Sequence, residues 1–509
     1  GDTVSGVSLT VGGNAIVPGT TNVGFYTIVS NTALGARLAN YNITYQTGVL
    51  TVNPKPINVV ANPASMVYAD AALPALTYQA VSGLVNGDTM TGALATAASA
   101  YNGSAGSASN VGTYVITQGS LTAGNNYVIT YSPANFNVSA ANLTVTANNQ
   151  LSTYGALSVI EQNALTSTGL RNGDYVSAAN ILYSGNQVIP AAINAGTYAN
   201  AISISNAVGA GVNNYNVTYA SGNLTVNKAT LVVTAVADGK FVSQTDLAGS
   251  ATNCGGVACT GGYAGAMYTG FVNGDTATSG ALGSAALLIS RTNDQVNIPG
   301  LYTNVLLPSG LNPQNYLVQY VAGNYVIAPA EQLLVKMGNN TTAYGTAPSY
   351  GAVTAAYLKT DNTIISGIPV TVVGNTVTLN DGLGSTAQFT ATPINPVNSI
   401  SGNLSVGSYA LGAGSPSITG TNFNSMTVIG GLDVTPKQLA YADLGITGVS
   451  KVYDGSVYMN NLAITASSGF IAGDSISASA IGSFASKNVG TSIAYNIGVL
   501  LNGADKSNY

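Results

Sequence analysis

One step, an asparagine followed by an aromatic that opens an alternating run, recurs at Tyr41, Tyr127, Tyr215, Tyr316, Phe423 and Tyr509, at intervals of about 86 to 107 residues. A beat this long limits the architecture, because each period is large enough to be a small domain with its own core. Other landmarks keep the same register. A Gly-x-Tyr step stands at Gly24-Phe25-Tyr26, Gly112-Thr113-Tyr114, Gly196-Thr197-Tyr198, Gly300-Leu301-Tyr302 and Gly407-Ser408-Tyr409. An aromatic opens successive repeats at Tyr68, Tyr154, Phe241, Tyr344 and Tyr453. A Gly-Asp step falls at Asp2, Asp88, Asp174, Asp275 and Asp474. A continuous β-helix would repeat every 20 to 30 residues or so and is disfavoured by this period.

Within a repeat the pattern is that of strands. Tyr127, Ile129 and Tyr131 share one face, as do Tyr41, Ile43 and Tyr45, and likewise Tyr215, Val217 and Tyr219. Period two with β-branched and aromatic residues marks a half-buried strand. Steps such as Asn86-Gly87-Asp88 favour tight reversals, because glycine accepts positive φ and asparagine tolerates it. The predicted fold is all-β: a tandem array of small β-sandwich-like modules, Ig-like or β-grasp-like, set end to end. The expected boundaries are a partial module at 1–54, modules at 55–140 and 141–228, one with a cysteine-containing insertion at 229–329, a divergent one at 330–436 and a partial one at 437–509. Tyr41, Tyr127, Tyr215, Tyr316 and Phe423 are the expected repeat core. Asp88, Asp174, Asp275 and Asp474 are the expected turn residues. Tyr114 and Tyr198 are expected to form corners whose hydroxyls bond backbone.

Composition narrows the function. Only 6% of the 509 residues are charged while 46% are hydrophobic, so solubility rests on Ser, Thr, Asn and Gly. Such a surface responds little to salt or pH and suits the outside of a cell. The net charge of -5 offers no basic stripe for nucleic acid. No apolar run reaches the length of a membrane span, so no membrane insertion is expected of this segment. The chain contains no histidine, which removes Ser-His-Asp and Cys-His catalysis from within it. Distinctive residues come in copies, whereas active sites are single. We expect no enzyme, no cofactor and no metal. Cys254 and Cys259 read as a small disulfide tying an inserted loop. The Asn-x-Thr steps at Asn42, Asn142, Asn216 and Asn223 read as turn asparagines beside strand threonines. A start at Gly1-Asp2 and a finish at Asn508-Tyr509, both in mid-repeat, read as a window from a longer polypeptide.

Tyr154-Gly155, the run from Gly83 to Asp88, Val111-Gly112-Thr113-Tyr114 and the run from Gly222 to Val226 together resemble the MBG repeats of large bacterial surface adhesins. Tyr453-Asp454-Gly455 with the run from Lys487 to Thr491 is similar to the related YDG repeat, which makes 437–509 a partial YDG-like module. Both occur in filamentous-haemagglutinin-like exoproteins. The resemblance implies an extracellular or cell-surface protein whose repeats form a fibre or stalk, with copies of itself as expected partners. The alternative expectation is an adhesin module that holds a glycan or a host-surface receptor, in the 330–436 repeat or the Cys254–Cys259 insertion.

Overall fold

The computed structural model describes residues 1–12, 19–245, 253–254, 257–260, 263–446, 449–454, 457–464 and 468–509. Its regular structure is strand, with only short 3-10 turns such as Leu38–Asn40 and Val212–Asn214. The chain forms tandem β-rich modules arranged in many small sheets. Contacts group it into two compact units. The first comprises Gly1–Thr146, Leu165–Ala179 and Ser205–Ala220; the second comprises Ala147–Ala164, Asn180–Ile204 and Ser221–Tyr509.

In the first unit, the predicted alternation after Asn126 becomes the strand Tyr127–Ser132, which runs parallel to Lys55–Val60 with Lys55 opposite Tyr127. The next strand of each, Ala64–Val67 and Ala134–Ser139, pairs parallel as well. Gly112–Thr117 closes antiparallel on Ala134–Ser139. The same parallel register joins Ala141 to Tyr215 and Thr146 to Ala220. Ile57, Ala123 and Tyr127 form a buried cluster against Val81, Leu84 and Met90. Ig-type sandwiches are built from antiparallel sheets. The parallel pairing of a repeat's opening and closing strands departs from them.

The second unit repeats this arrangement. Gln150–Thr153 runs parallel to Gly222–Asn227, and Ala229–Ala235 parallel to Tyr316–Val321. The divergent repeat gathers eight strands into one sheet, in which Gln332–Ala343 and Ser425–Thr435 are the parallel pair. Its core holds Leu333, Val335, Tyr357, Phe389, Leu432 and Phe423.

The 41–47 stretch corrects the sequence reading. Tyr41, Ile43 and Tyr45 alternate as predicted, but no strand forms there and Tyr41 is 57% exposed. Tyr127, Tyr215, Tyr316 and Phe423 are buried at 8%, 7%, 1% and 1% exposure. The reason is pairing. Tyr127, Tyr215 and Tyr316 each start a strand held by their repeat's opening strand, whereas among the described residues 41–47 has no ladder partner. A segment without a ladder partner has no reason to stay extended and covered.

Candidate functional site

The four landmarks of the sequence converge on one place, a clasp made by two successive repeats. It is built first from turns. Asn86-Gly87, Asn172-Gly173 and Asn273-Gly274 all carry positive φ, and the following aspartate N–H closes each turn on Val85, Arg171 or Val272. Two consecutive positive φ values make a type I′ turn, for which Asn-Gly is the favoured pair. The turn aims the aspartate at the repeat's own aromatic. Tyr127 donates to Asp88 at 2.7 Å, Tyr215 to Asp174 at 2.8 Å, Tyr316 to Asp275 at 2.7 Å and Tyr509 to Asp474 at 2.6 Å. Each of these hydroxyls also accepts a backbone N–H from the turn, from Val85, Arg171, Val272 and Ile471. The aspartates therefore do more than shape a turn.

The preceding repeat supplies the second tyrosine. Tyr68 donates to Asp174 at 2.8 Å, Tyr154 to Asp275 at 2.9 Å and Tyr344 to Asp474 at 2.6 Å. The two rings of each clasp meet edge to face, with centroids 5.4, 5.5 and 5.5 Å apart. The opening tyrosines are 1%, 7% and 1% exposed. Burial pushes the hydroxyls of Tyr215, Tyr316 and Tyr509 above the ordinary tyrosine range, and the adjacent carboxylates push them the same way. Burial works to raise Asp474 too, but its hydroxyl partners, among them Ser401, Tyr344 and Tyr509, outweigh it and hold it below the ordinary carboxylate range. One carboxylate thus takes two neutral hydroxyls, an arrangement that binds without transferring a proton.

A second set of bonds flanks the first. The asparagine before each buried tyrosine accepts a backbone N–H from the preceding repeat. Val23 donates to Asn126 at 2.9 Å, Val111 to Asn214 at 3.0 Å, Ala195 to Asn315 at 2.9 Å and Val406 to Asn508 at 3.0 Å. Three of these asparagines also donate to Asn22, Asn110 and Asn194. The donating N–H is held in place by the predicted corner: the hydroxyls of Tyr26, Tyr114, Tyr198, Tyr302 and Tyr409 each bond the carbonyl four residues upstream, at 2.7 or 2.8 Å.

The junction between the 229–329 repeat and the divergent 330–436 repeat lacks the clasp at each of these positions. Phe241 stands for the opening tyrosine and Phe423 for the closing one, and no Gly-Asp step is present. Pro299 occupies the place of Val23, Val111, Ala195 and Val406, and proline has no N–H to give. Asn422 turns instead to Asp381 at 2.8 Å. A buried hydroxyl without an acceptor is costly, so phenylalanine follows from the loss of the aspartate. In its stead Phe241 packs with Val326, Leu334, Leu358 and Ile429. Lys336 meets Asp238 at 2.6 Å. The Tyr268 N–H and the Ser408 hydroxyl donate to Asp433, which burial pushes up to about 6.

The strands Asn253–Cys254 and Val257–Thr260 pair antiparallel, while the side chains of Cys254 and Cys259 lie outside the described residues. Among the described residues no three His, Cys, Asp or Glu gather as a metal site, and no helix is long and apolar enough to cross a membrane.

Fold and clasp together define a tandem-repeat β protein whose repeats are joined by side chains as well as by the chain. The MBG domain model (YGX type) matches residues 57–137 and 143–225, and the YDG domain model matches residues 435–509. The chain thus carries an MBG/YDG repeat region. No curated protein matches it. Among solved structures it is similar to the Bacillus anthracis TIE protein at 10% identity, over 85% of this chain and 75% of that one, with a TM-score of 0.15.

Proposed function

We propose that this chain is the structural repeat region of a secreted bacterial surface protein and forms an extended extracellular fibre or adhesin stalk, without catalysis. The observation that carries this reading is the clasp: Tyr68–Asp174–Tyr215, Tyr154–Asp275–Tyr316 and Tyr344–Asp474–Tyr509 repeat one buried bonding pattern between successive repeats. A stalk must transmit load from one repeat to the next, and the clasp fixes that junction with directional bonds in a partly dry setting. The low charge supports a role in changing ionic conditions, because little on the surface is screened. Stretching single molecules of the whole chain tests the proposal. Discrete rupture steps that fall to lower force in Asp275→Ala are the expected result. A smooth extension without steps would contradict a load-bearing stalk.

A further inference from the structure

Charge is scarce in this chain, and Asp433 is one of the few carboxylates that the fold buries, at 5% exposure. Its strand, Ser425–Thr435, points Leu432 and Val434 into the core of the divergent repeat. Alternation sends Ile429, Gly431 and Asp433 to the opposite face of the sheet, where the 229–329 repeat lies. There Ile429 packs with Phe241, and a Cβ added at Gly431 would lie 2.5 Å from the Met267 sulfur. Asn339 donates to the Ala266 carbonyl at 2.9 Å. Asp433 thus sits inside the joint between two successive repeats.

The groups that hold the carboxylate are neutral. The Ser408 hydroxyl donates to it at 2.5 Å and the Tyr268 N–H at 3.2 Å, and the Asn339 amide bonds it as well. The strand Ala266–Thr269 also brings the Tyr268 phenol, which burial, Asp433 and Tyr320 all hold above the ordinary tyrosine range and therefore neutral. The strand Gly407–Thr419 contributes Ser408. The strand Gln332–Ala343 carries Lys336, whose ammonium is held by Asp238 at 2.6 Å. Among the described residues no cation compensates Asp433. An ionised carboxylate taken out of water without a cation is costly. Burial pushes this one up to about 6 against the pull of its donors.

The neutral acid forfeits no bond. The Thr269 and Ser408 hydroxyls lie 2.5 Å apart, and either can be the donor. With Asp433 ionised, Thr269 donates to Ser408 and Ser408 to the carboxylate. With Asp433 protonated, the acid donates to Ser408 and Ser408 to Thr269, while the second carboxyl oxygen still accepts from Tyr268. We propose that Asp433 makes this joint respond to pH: protonation of its carboxyl tightens the 229–329 and 330–436 repeats on each other, and ionisation loosens them. The folded carboxyl keeps its proton better than the unfolded one, whose value is about 3.9. Stability of the joint therefore grows as pH falls through about 6 and is lost as pH rises through it. The direction is opposite to that of Asp474, which is held below the ordinary carboxylate range. The response belongs to this one joint and does not depend on the load-bearing role proposed above.

Amide exchange of the full chain, read by mass spectrometry on peptides covering 266–269, tests it. Asp433→Asn keeps an acceptor for the Tyr268 N–H and a donor for Ser408, and cannot ionise. Protection of the wild type relative to this variant, taken at each pH so that the chemical exchange rate cancels, is expected to rise about tenfold from about pH 8 to about pH 5. Ser408→Ala removes a donor that favours the ionised form and is expected to move the midpoint of that rise to higher pH. Should Asp433→Asn not fold, the unstructured peptide serves as the reference for the wild type and for Ser408→Ala. Relative protection that is the same at both pH values, protection that falls on acidification, or a midpoint unmoved by Ser408→Ala overturns the proposal.

Discussion

At the scale of single residues, the clasp turns on one carboxylate serving two hydroxyls. Asp275 accepts from Tyr154 and Tyr316, and its deletion leaves the Tyr154 phenol without an acceptor and Tyr316 with only the Val272 carbonyl at 3.3 Å. An unsatisfied buried polar group costs about 1–3 kcal/mol. Asp275→Ala should therefore destabilise the chain by on the order of 2–5 kcal/mol in urea unfolding, and Tyr154→Phe by only about 1–2 kcal/mol, because Asp275 keeps its second partner. A residue needed only for its turn would give a small effect on replacement by alanine, so a loss well under 1 kcal/mol would return Asp275 to the role the sequence suggests. That role was legible from the Gly-Asp recurrence. The partner was not, because Tyr154 lies 121 residues from Asp275 and belongs to another repeat.

At the scale of elements, the glycine after the opening tyrosine explains itself only through the neighbour. Tyr154-Gly155 forms a turn with Gly155 at φ +83°, and a Cβ placed there would lie 2.2 Å from Val272 of the next repeat. At Gly345 the same added atom would lie 2.1 Å from Ile471. Ala69 fills the equivalent position in an earlier repeat at φ +58°, where the facing turn residue is the long and adaptable Arg171. Gly155→Ala should thus cost about 1 kcal/mol for its backbone and about 1–3 kcal/mol for overpacking. Adding Val272→Ala should recover the overpacking part and leave the backbone part. A double-mutant cycle by chemical denaturation measures this coupling; additive losses would show that the two residues do not press on each other. The strand periods, the type I′ turns and the tyrosine corners were all readable from local sequence. The parallel pairing of Lys55–Val60 with Tyr127–Ser132 was not, because alternation fixes which face is buried but not which strand lies alongside.

At the scale of the whole molecule, the clasps give the chain a pH limit of unusual direction for so uncharged a protein. The clasp tyrosines have folded pKa values raised above the ordinary value of about 10, chiefly by burial. A raised folded pKa means that the unfolded chain gives up its proton first. The clasp contribution is therefore complete below about pH 10 and is lost as pH climbs from there through the folded values. Tyrosinate absorbance should begin to rise in the ordinary tyrosine range on alkaline titration. The clasp rings should follow together with loss of β-sheet signal. A single non-cooperative rise with the sheet signal intact would show that the clasps do not hold the repeats.

What the sequence decided alone was the unit and its local grammar. An aromatic or aliphatic residue at every second position, an Asn-Gly turn and a Gly-x-Tyr corner act over a few residues, and their energetics are complete within that span. Only the tertiary structure decided that Tyr68, Asp174 and Tyr215 are one site, that Tyr41 lies open, and that Phe241, Pro299 and Phe423 are a single joint change. Hydrogen bonding and close packing depend on distance in space, and groups a hundred residues apart acquire a shared energy only when the strands between them have folded.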